Sequence, residues 1–192
     1  MLQKQVLQSY MHFLQKLAPK FIKKVRLNDL TLEIKTTPMC LLNVVSIIKN
    51  HTLCLLTSVV DIAVYDISAK KLRFSIVYNL LSIQHNFRLN IYIKVSDQQK
   101  VPTLTNLYSS ADWLEREVWD MFGINFKAHP DLRRILTDYG FNNFPLRKDF
   151  PLRGFSEVLY LDNEKRVTYS LDQNNQKFRV FYFKNPWDYE KI

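Results

Sequence analysis

The chain has 192 residues, 47% of them hydrophobic and 14% aromatic, so it is too apolar for a disordered tail and long enough to bury one core. Its 27 Lys and Arg outweigh 18 Asp and Glu for a formal charge of +9, which points to an acidic neighbour without choosing among nucleic acid, an anionic membrane surface and an acidic protein. Two cysteines, Cys40 and Cys54, exclude a disulfide framework and fall short of the four thiolates an iron–sulfur cluster usually takes. No zinc ligand set is visible. The three glycines, Gly123, Gly140 and Gly154, all lie late in the chain, and no phosphate-cradling glycine loop can be assembled from them. No apolar run approaches the ~18 residues that cross a bilayer.

Met1 to Arg26 carries Lys4, Lys16, Lys20, Lys23, Lys24 and Arg26 without an acid. A mitochondrial transit peptide is one reading. The recurrence of Leu2, Val6, Tyr10, Phe13, Leu14, Leu17 and Phe21 at three- and four-residue steps favours the other, an amphipathic helix stopped near Pro19. Phe21 to Thr36 reads as two short extended pieces. A second helix follows, with Thr37 as cap, Pro38 in its first turn, Leu41, Leu42, Val45 and Ile48 as its stripe, and Asn50 and His51 at its end. Leu53 to Tyr65, rich in β-branched residues, reads as a strand buried on both faces.

Leu72, Phe74, Ile76, Tyr78 and Leu80, then Leu89, Ile91, Ile93 and Val95, alternate with period two. The short polar connection around Gln84 to Asn86 makes them an antiparallel hairpin. A third helix begins at Ser109, with Asp112 as capping-box partner and Gly123 as its left-handed C-terminal residue. Beyond Gly123 periodicity fades. Asp131 to Leu136 reads as a helical turn, Asn142 to Gly154 as extended chain, and Phe178 to Phe183 as a last strand. The fold expected is α+β, with helices packed on one face of a mostly antiparallel sheet and an extended C-terminal arm. The division expected is a head over 1–123 and, over 124–192, an arm that needs a surface to lie on.

On a helix Glu115 and Glu117 stand about 200° apart, so they cannot share a proton or an ion. Asp112 and Arg116 form an i,i+4 pair, from which Arg116 is expected also to reach Asp120, on a face opposite Leu114, Val118, Met121 and Phe122. Four scattered histidines and no nucleophile motif give little support to a self-contained enzyme. Between Lys127 and Gly154, Lys127, Arg133, Arg134, Arg147, Lys148 and Arg153 interleave with Tyr139, Phe141, Phe144 and Phe150. That mixture suits a protein interface or, by stacking and phosphate contacts, RNA. The interspersed Asp131, Asp138 and Asp149 favour protein.

Residues 111–154, ADWLEREVWDMFGINFKAHPDLRRILTDYGFNNFPLRKDFPLRG, closely resemble the signature region of the 30-kDa-type peripheral-arm subunit of respiratory complex I, known as subunit 9 in mitochondrial genomes and as the C-type subunit in bacteria. The resemblance rests on Glu115-Arg116-Glu117, Asp120-Met121-Phe122, His129, Arg133 and Ile135-Leu136 at fixed spacing. It continues through Leu136 to Phe141 and Pro145 to Leu152, and more weakly through Arg73 to Leu81. It implies a non-catalytic core subunit in the matrix-facing arm at the mitochondrial inner membrane, scaffolding the quinone-reducing module. FMN, iron–sulfur clusters and ubiquinone would sit in neighbouring subunits and none in this chain. The implied partners are the quinone-site, 49-kDa-type subunit and adjacent iron–sulfur subunits, in a hetero-oligomer with no nucleic acid and no membrane-spanning segment of this chain.

The residues implied to carry the subunit interface are Glu115, Arg116, Glu117, Asp120, His129, Pro130, Arg133, Arg134, Asp138, Tyr139, Gly140, Pro145, Arg147, Lys148, Asp149 and Pro151. Where the family usually has Gly-His-Pro this chain has Asn143-Phe144-Pro145, and Asn best replaces Gly at positive φ. Leu159 stands where an Arg is common. Because the chain begins close to where the family's head begins, an organelle-encoded form without a removed presequence is expected. The rival readings are an organellar RNA-binding or ribosomal protein and a free-standing oxidoreductase.

Overall fold

The computed structural model describes residues 2–28, 31–67, 72–171, 179–181 and 183, with side chains from residue 6 onward. Helix α1 (Leu2–Leu17) ends just before Pro19 and buries Leu7 and Leu14, while Val6 is exposed, so the apolar stripe is rotated by one residue from the expected one. Strands β1 (Ile22–Asn28) and β2 (Thr31–Thr36) form an antiparallel pair with a bulge between Ile22 and Lys24. A single 3₁₀ turn at Pro38–Cys40 leads into α2 (Leu41–Asn50), which buries Leu41, Val44, Val45 and Ile48. Thr37 makes no side-chain capping bond, and Leu42 faces outward where Val44 faces in.

Strand β3 (Ser58–Asp66) is shorter than its apolar run and lies at a sheet edge, with Val60 and Tyr65 exposed. The expected burial on both faces does not hold. A β-branched run reads alike in an edge strand and a central one, because composition does not report the number of neighbours. Cys54 and Leu56, just before it, are buried in an irregular connection. Strands β4 (Phe74–Ser82) and β5 (Phe87–Val95) form the expected hairpin, in register from Phe74 opposite Val95 to Ser82 opposite Phe87. Asn86 takes the left-handed conformation in its turn.

The five-stranded sheet runs β1-β2-β5-β4-β3, antiparallel except where β2 lies parallel to β5. Helix residues and the inward side chains of every strand share one core around Phe74, Tyr78, Leu32, Ile34, Leu89 and Ile91. Each such large apolar side chain contributes about 1.5–3 kcal/mol on burial. The α+β class is the expected one. Two short strands went unforeseen: β6 (Val101–Pro102) pairs in parallel with β7 (Phe126–Lys127), on either side of α3 (Ala111–Phe122). Ser110 is the N-cap of α3 without a side-chain bond, so no capping box forms, while Gly123 closes the helix at φ 73°.

The first compact unit spans Met1–Asp149, so residues 124–149 belong with the head rather than with the rest of the chain. Asp131 to Leu136 is not a helical turn, and Asn142 to Gly154 is a succession of turns rather than extended chain. The second unit begins at Phe150, and its described part contains an antiparallel hairpin of β8 (Ser156–Leu161) and β9 (Arg166–Leu171). Of the last aromatic run, Phe178 and Tyr182 lie outside the described residues, and its other described members are not in a strand.

Candidate functional site

The signature segment is built on α3. Glu115 points into the core, fully buried, where its Oε1 accepts the Leu104 N–H at 2.7 Å and its Oε2 the Thr103 hydroxyl at 2.6 Å. Burial pushes its pKa up to about 7, against the pull of those two donors. His129 sits beside it with its ring buried. Its Nδ1 accepts the Asp131 N–H at 3.2 Å, and its Nε2 lies 3.3 Å from Asp112 Oδ1 and 3.9 Å from Glu115 Oε2. Arg116 completes this cluster, contacting Asp112 at 3.1 Å and Asp131 at 3.5 Å beneath the Trp113 ring. It does not reach Asp120, as helical spacing suggests it should, because Asp120 is engaged elsewhere.

One turn further on, the buried Asp120 carboxylate gathers the chain that leaves the helix. Its Oδ2 accepts the N–H groups of Ile135, Leu136 and Thr137 at 3.1, 2.7 and 3.0 Å. Its Oδ1 accepts the Thr137 hydroxyl at 2.7 Å and the Arg134 guanidinium at 3.0 Å. Burial by itself would raise its pKa. The hydroxyl and backbone donors overcome that and hold it down at about 2. These bonds replace the helical ones expected over Asp131 to Leu136.

The segment then folds back over the C-terminal end of α3. Arg134 donates to the Asn143 carbonyl at 2.9 Å and lies 5.0 Å from the Phe144 ring centre. Arg147 donates to the Phe122 carbonyl at 2.6 Å, pairs with Asp97 at 2.8 Å, and stacks on Phe144 at 4.5 Å. Positive charge at the last carbonyls of a helix is favourable. Phe144 packs its edge against Trp119, and a Cβ on Gly123 would fall 2.5 Å from the Phe144 ring. Glycine is therefore required there by both φ and space. Asn143 adopts φ 79°, the left-handed conformation that Asn tolerates better than most non-glycine residues. A last fastening joins Arg73 to Asp66 bidentately, at 2.7 and 2.8 Å, and to Asp149 at 3.0 Å, while the Lys148 N–H donates to Asp66. The Arg73 guanidinium holds both carboxylates below their usual range.

The sixteen residues singled out from sequence thus divide by direction. Glu115, Arg116, Asp120, His129, Arg134, Arg147 and Asp149 are engaged within the head. Glu117, Pro130, Arg133, Asp138, Tyr139, Gly140 and Lys148 face outward, Tyr139 being 99% exposed. Pro145 and Pro151 are half-buried. Sequence reading missed Thr103, Asp66, Arg73 and Asp97. Their partners lie far along the chain, and only the adjacency of Asp66 and Arg73 at the β3–β4 connection hints at any of them. Among the described residues no group of three or more His, Cys, Asp or Glu could hold a metal ion.

Such a head uses its buried charges to fix its own signature segment and turns aromatic and charged residues outward, which is the makeup of a subunit of a larger assembly. The family model for the respiratory-chain NADH dehydrogenase, 30 Kd subunit, matches residues 34–156. The chain is 46% identical to NADH-ubiquinone oxidoreductase subunit 9 of Reclinomonas americana, over 99% of this chain and 93% of that one. It is 45% identical to the C-type subunit of NADH-quinone oxidoreductase from Paramagnetospirillum magneticum, over 85% and 81% respectively. Among solved structures, the trypsin-resistant fragment of Nqo5 superposes with a TM-score of 0.55 at 26% identity, covering 66% of this chain and 98% of that fragment. The chain belongs to the 30 kDa subunit family of respiratory-chain NADH dehydrogenase, and so is a core subunit of the NADH:ubiquinone oxidoreductase complex rather than an enzyme by itself.

Proposed function

We propose that this chain braces the quinone-reducing module of the complex, docking on the quinone-site, 49-kDa-type subunit and on adjacent iron–sulfur subunits at the matrix side of the mitochondrial inner membrane. The observation that carries this reading is the β8–β9 hairpin. It is an isolated two-stranded sheet that leaves Val158, Leu159, Tyr160, Val167, Tyr169 and Leu171 exposed. A lone hairpin is at best marginally stable in water, and a concentration of exposed apolar side chains marks a contact surface. The outward set of the signature, with Tyr139, Arg133, Glu117 and Lys148, supplies a second surface held rigid by the internal bonds beneath it. Such preorganisation lowers the cost of docking.

FMN, the iron–sulfur clusters and ubiquinone belong to the neighbours in this reading, and the chain's work is to keep their spacing fixed. Among the described residues no helix is long and apolar enough to cross a membrane, so attachment runs through the partner subunits. An organelle gene fits a composition short of Gly and rich in Phe, Ile, Lys and Asn.

The test is native separation of a mild-detergent membrane extract, with mass spectrometry of whatever co-migrates. Co-migration with quinone-site and cluster-bearing subunits in a band that oxidises NADH is expected. Migration with ribosomal RNA, or as a free small protein, overturns the reading. Arg134→Ala is expected to lower the amount of assembled complex while leaving cluster potentials unchanged.

A further inference from the structure

The sheet has one face covered by the helices and one turned away from them. Alternation along β5 directs Phe87, Leu89, Ile91, Ile93 and Val95 into the core and Arg88, Asn90, Tyr92 and Lys94 the other way. At one end of that second face lies a cleft of about 510 Å³ bordered by Lys23, Lys35 and Lys94, with Met39 and Leu72 at its rim. No carboxylate lines it among the described residues. The bulge in β1 inserts an extra residue, so that Lys23 and Lys24 are both exposed, and Lys24 stands directly across from Lys35.

Like charges opposite one another on neighbouring strands are destabilising. Yet none of these four lysines makes a hydrogen bond or ion pair among the described residues. The nearest acid on β2, Glu33, already accepts from the Asn28 amide and the Tyr92 hydroxyl. At the rim Met39 is 88% exposed and Leu72 is exposed as well. The cleft therefore combines uncompensated positive charge with an apolar lip.

We propose that this cleft docks an acidic, partly apolar stretch of polypeptide from a neighbouring subunit, its carboxylates taken by Lys23, Lys35 and Lys94 and an apolar side chain laid against Met39 and Leu72. The inference rests on the chain being part of a larger assembly. A bilayer surface is flat and does not fill a concave cleft. Single-stranded nucleic acid is held on stacking platforms, whereas the one aromatic residue of the lining among the described residues, Tyr92, is engaged with Glu33. An acidic peptide uses both the charges and the lip.

The experiment uses the purified intact complex. A zero-length carbodiimide reagent, which joins an amine to a carboxylate, is expected to link Lys23, Lys35 or Lys94 to Asp or Glu of another subunit. Amine acylation of the same lysines is expected to be slower in the complex than in the free chain. Equal acylation in an intact complex overturns this inference alone, whereas absence of the chain from the complex overturns the assembly reading and this inference with it. Links confined to this chain's own carboxylates overturn it too, as does protection of the free chain's lysines by anionic phospholipid vesicles or RNA but not by the complex. In the double variant Lys35→Glu, Lys94→Glu, recovery of the linked neighbour is expected to fall about tenfold. The free variant should melt no lower than the original chain. Unchanged recovery of the neighbour overturns the proposal.

Discussion

Residues up to Asp149 and those from Phe150 onward are two different solutions to the same shortage of glycine and abundance of aromatic residues. The head covers its apolar side chains with three helices and engages Glu115, Asp120, Arg134 and Arg147 twice each, once against a backbone group and once against another side chain. The hairpin of the second unit is joined strand to strand and leaves its Tyr, Leu and Val side chains exposed. The lesson is that one family signature holds two kinds of residue. Some make the head self-sufficient, and others sit outside it and acquire their energetic value only on contact.

Substitutions can sharpen or break that division. Asp120→Ala should have the largest effect, because it strands three backbone N–H groups and the Arg134 guanidinium at once. A loss of about 3–5 kcal/mol is expected in denaturant unfolding of the full chain. A loss below about 1 kcal/mol would mean the segment is not fastened there. Gly123→Ala should cost about 1–3 kcal/mol, from the positive φ and the 2.5 Å approach of Phe144.

The third test reads pH. The Glu115 pKa rises from 4.5 to about 7 on folding, so the folded state holds its proton more tightly, and stability must fall as pH rises across that interval. Asp120 acts in the opposite sense. Its folded pKa of about 2 lies below 3.8, so its contribution is present above that value and is lost as pH drops toward 2. Thermal melts should therefore show an acid limb and a decline between pH 4.5 and 7. Glu115→Gln should remove the decline and leave the acid limb, and a decline that survives would exclude Glu115 as its source. The smallest effect on stability belongs to Tyr139→Ala, within about 0.5 kcal/mol. The same variant should still reduce the chain recovered in the assembled complex, and unchanged recovery would remove Tyr139 from the interface.

Much of the fold was legible in the sequence where the controlling interaction is local. The β4–β5 hairpin stems from period-two alternation, the end of α3 from Gly123, and the turn at Asn143 from the tolerance of Asn for positive φ. What escaped is governed by partners distant in the chain. A run such as Asp131 to Leu136 lacks any local mark that its N–H groups will point at a carboxylate on the preceding helix. Helical spacing alone offered Arg116 to Asp120, and the nearer competitors Asp112 and Arg134 decided otherwise. The motif marked out a stretch of chain, and only the folded geometry separates its inward residues from its outward ones.

The two-residue ladder between β6 and β7 has a kinetic consequence. Val101 N–H donates to the Asn125 carbonyl and Thr103 N–H to that of Lys127, while Pro102, which has no N–H, falls between the two donors. The chain from 101 to 127 is thereby closed into a ring with α3 inside it, and Glu115 ties the helix to residues 103 and 104 across that ring. Fraying from a free end, the ordinary route by which helical amides meet solvent, is closed to α3. Its amides and those of Val101 and Thr103 should exchange hydrogen for deuterium as one cooperative unit, at a single rate set by the opening of the ring.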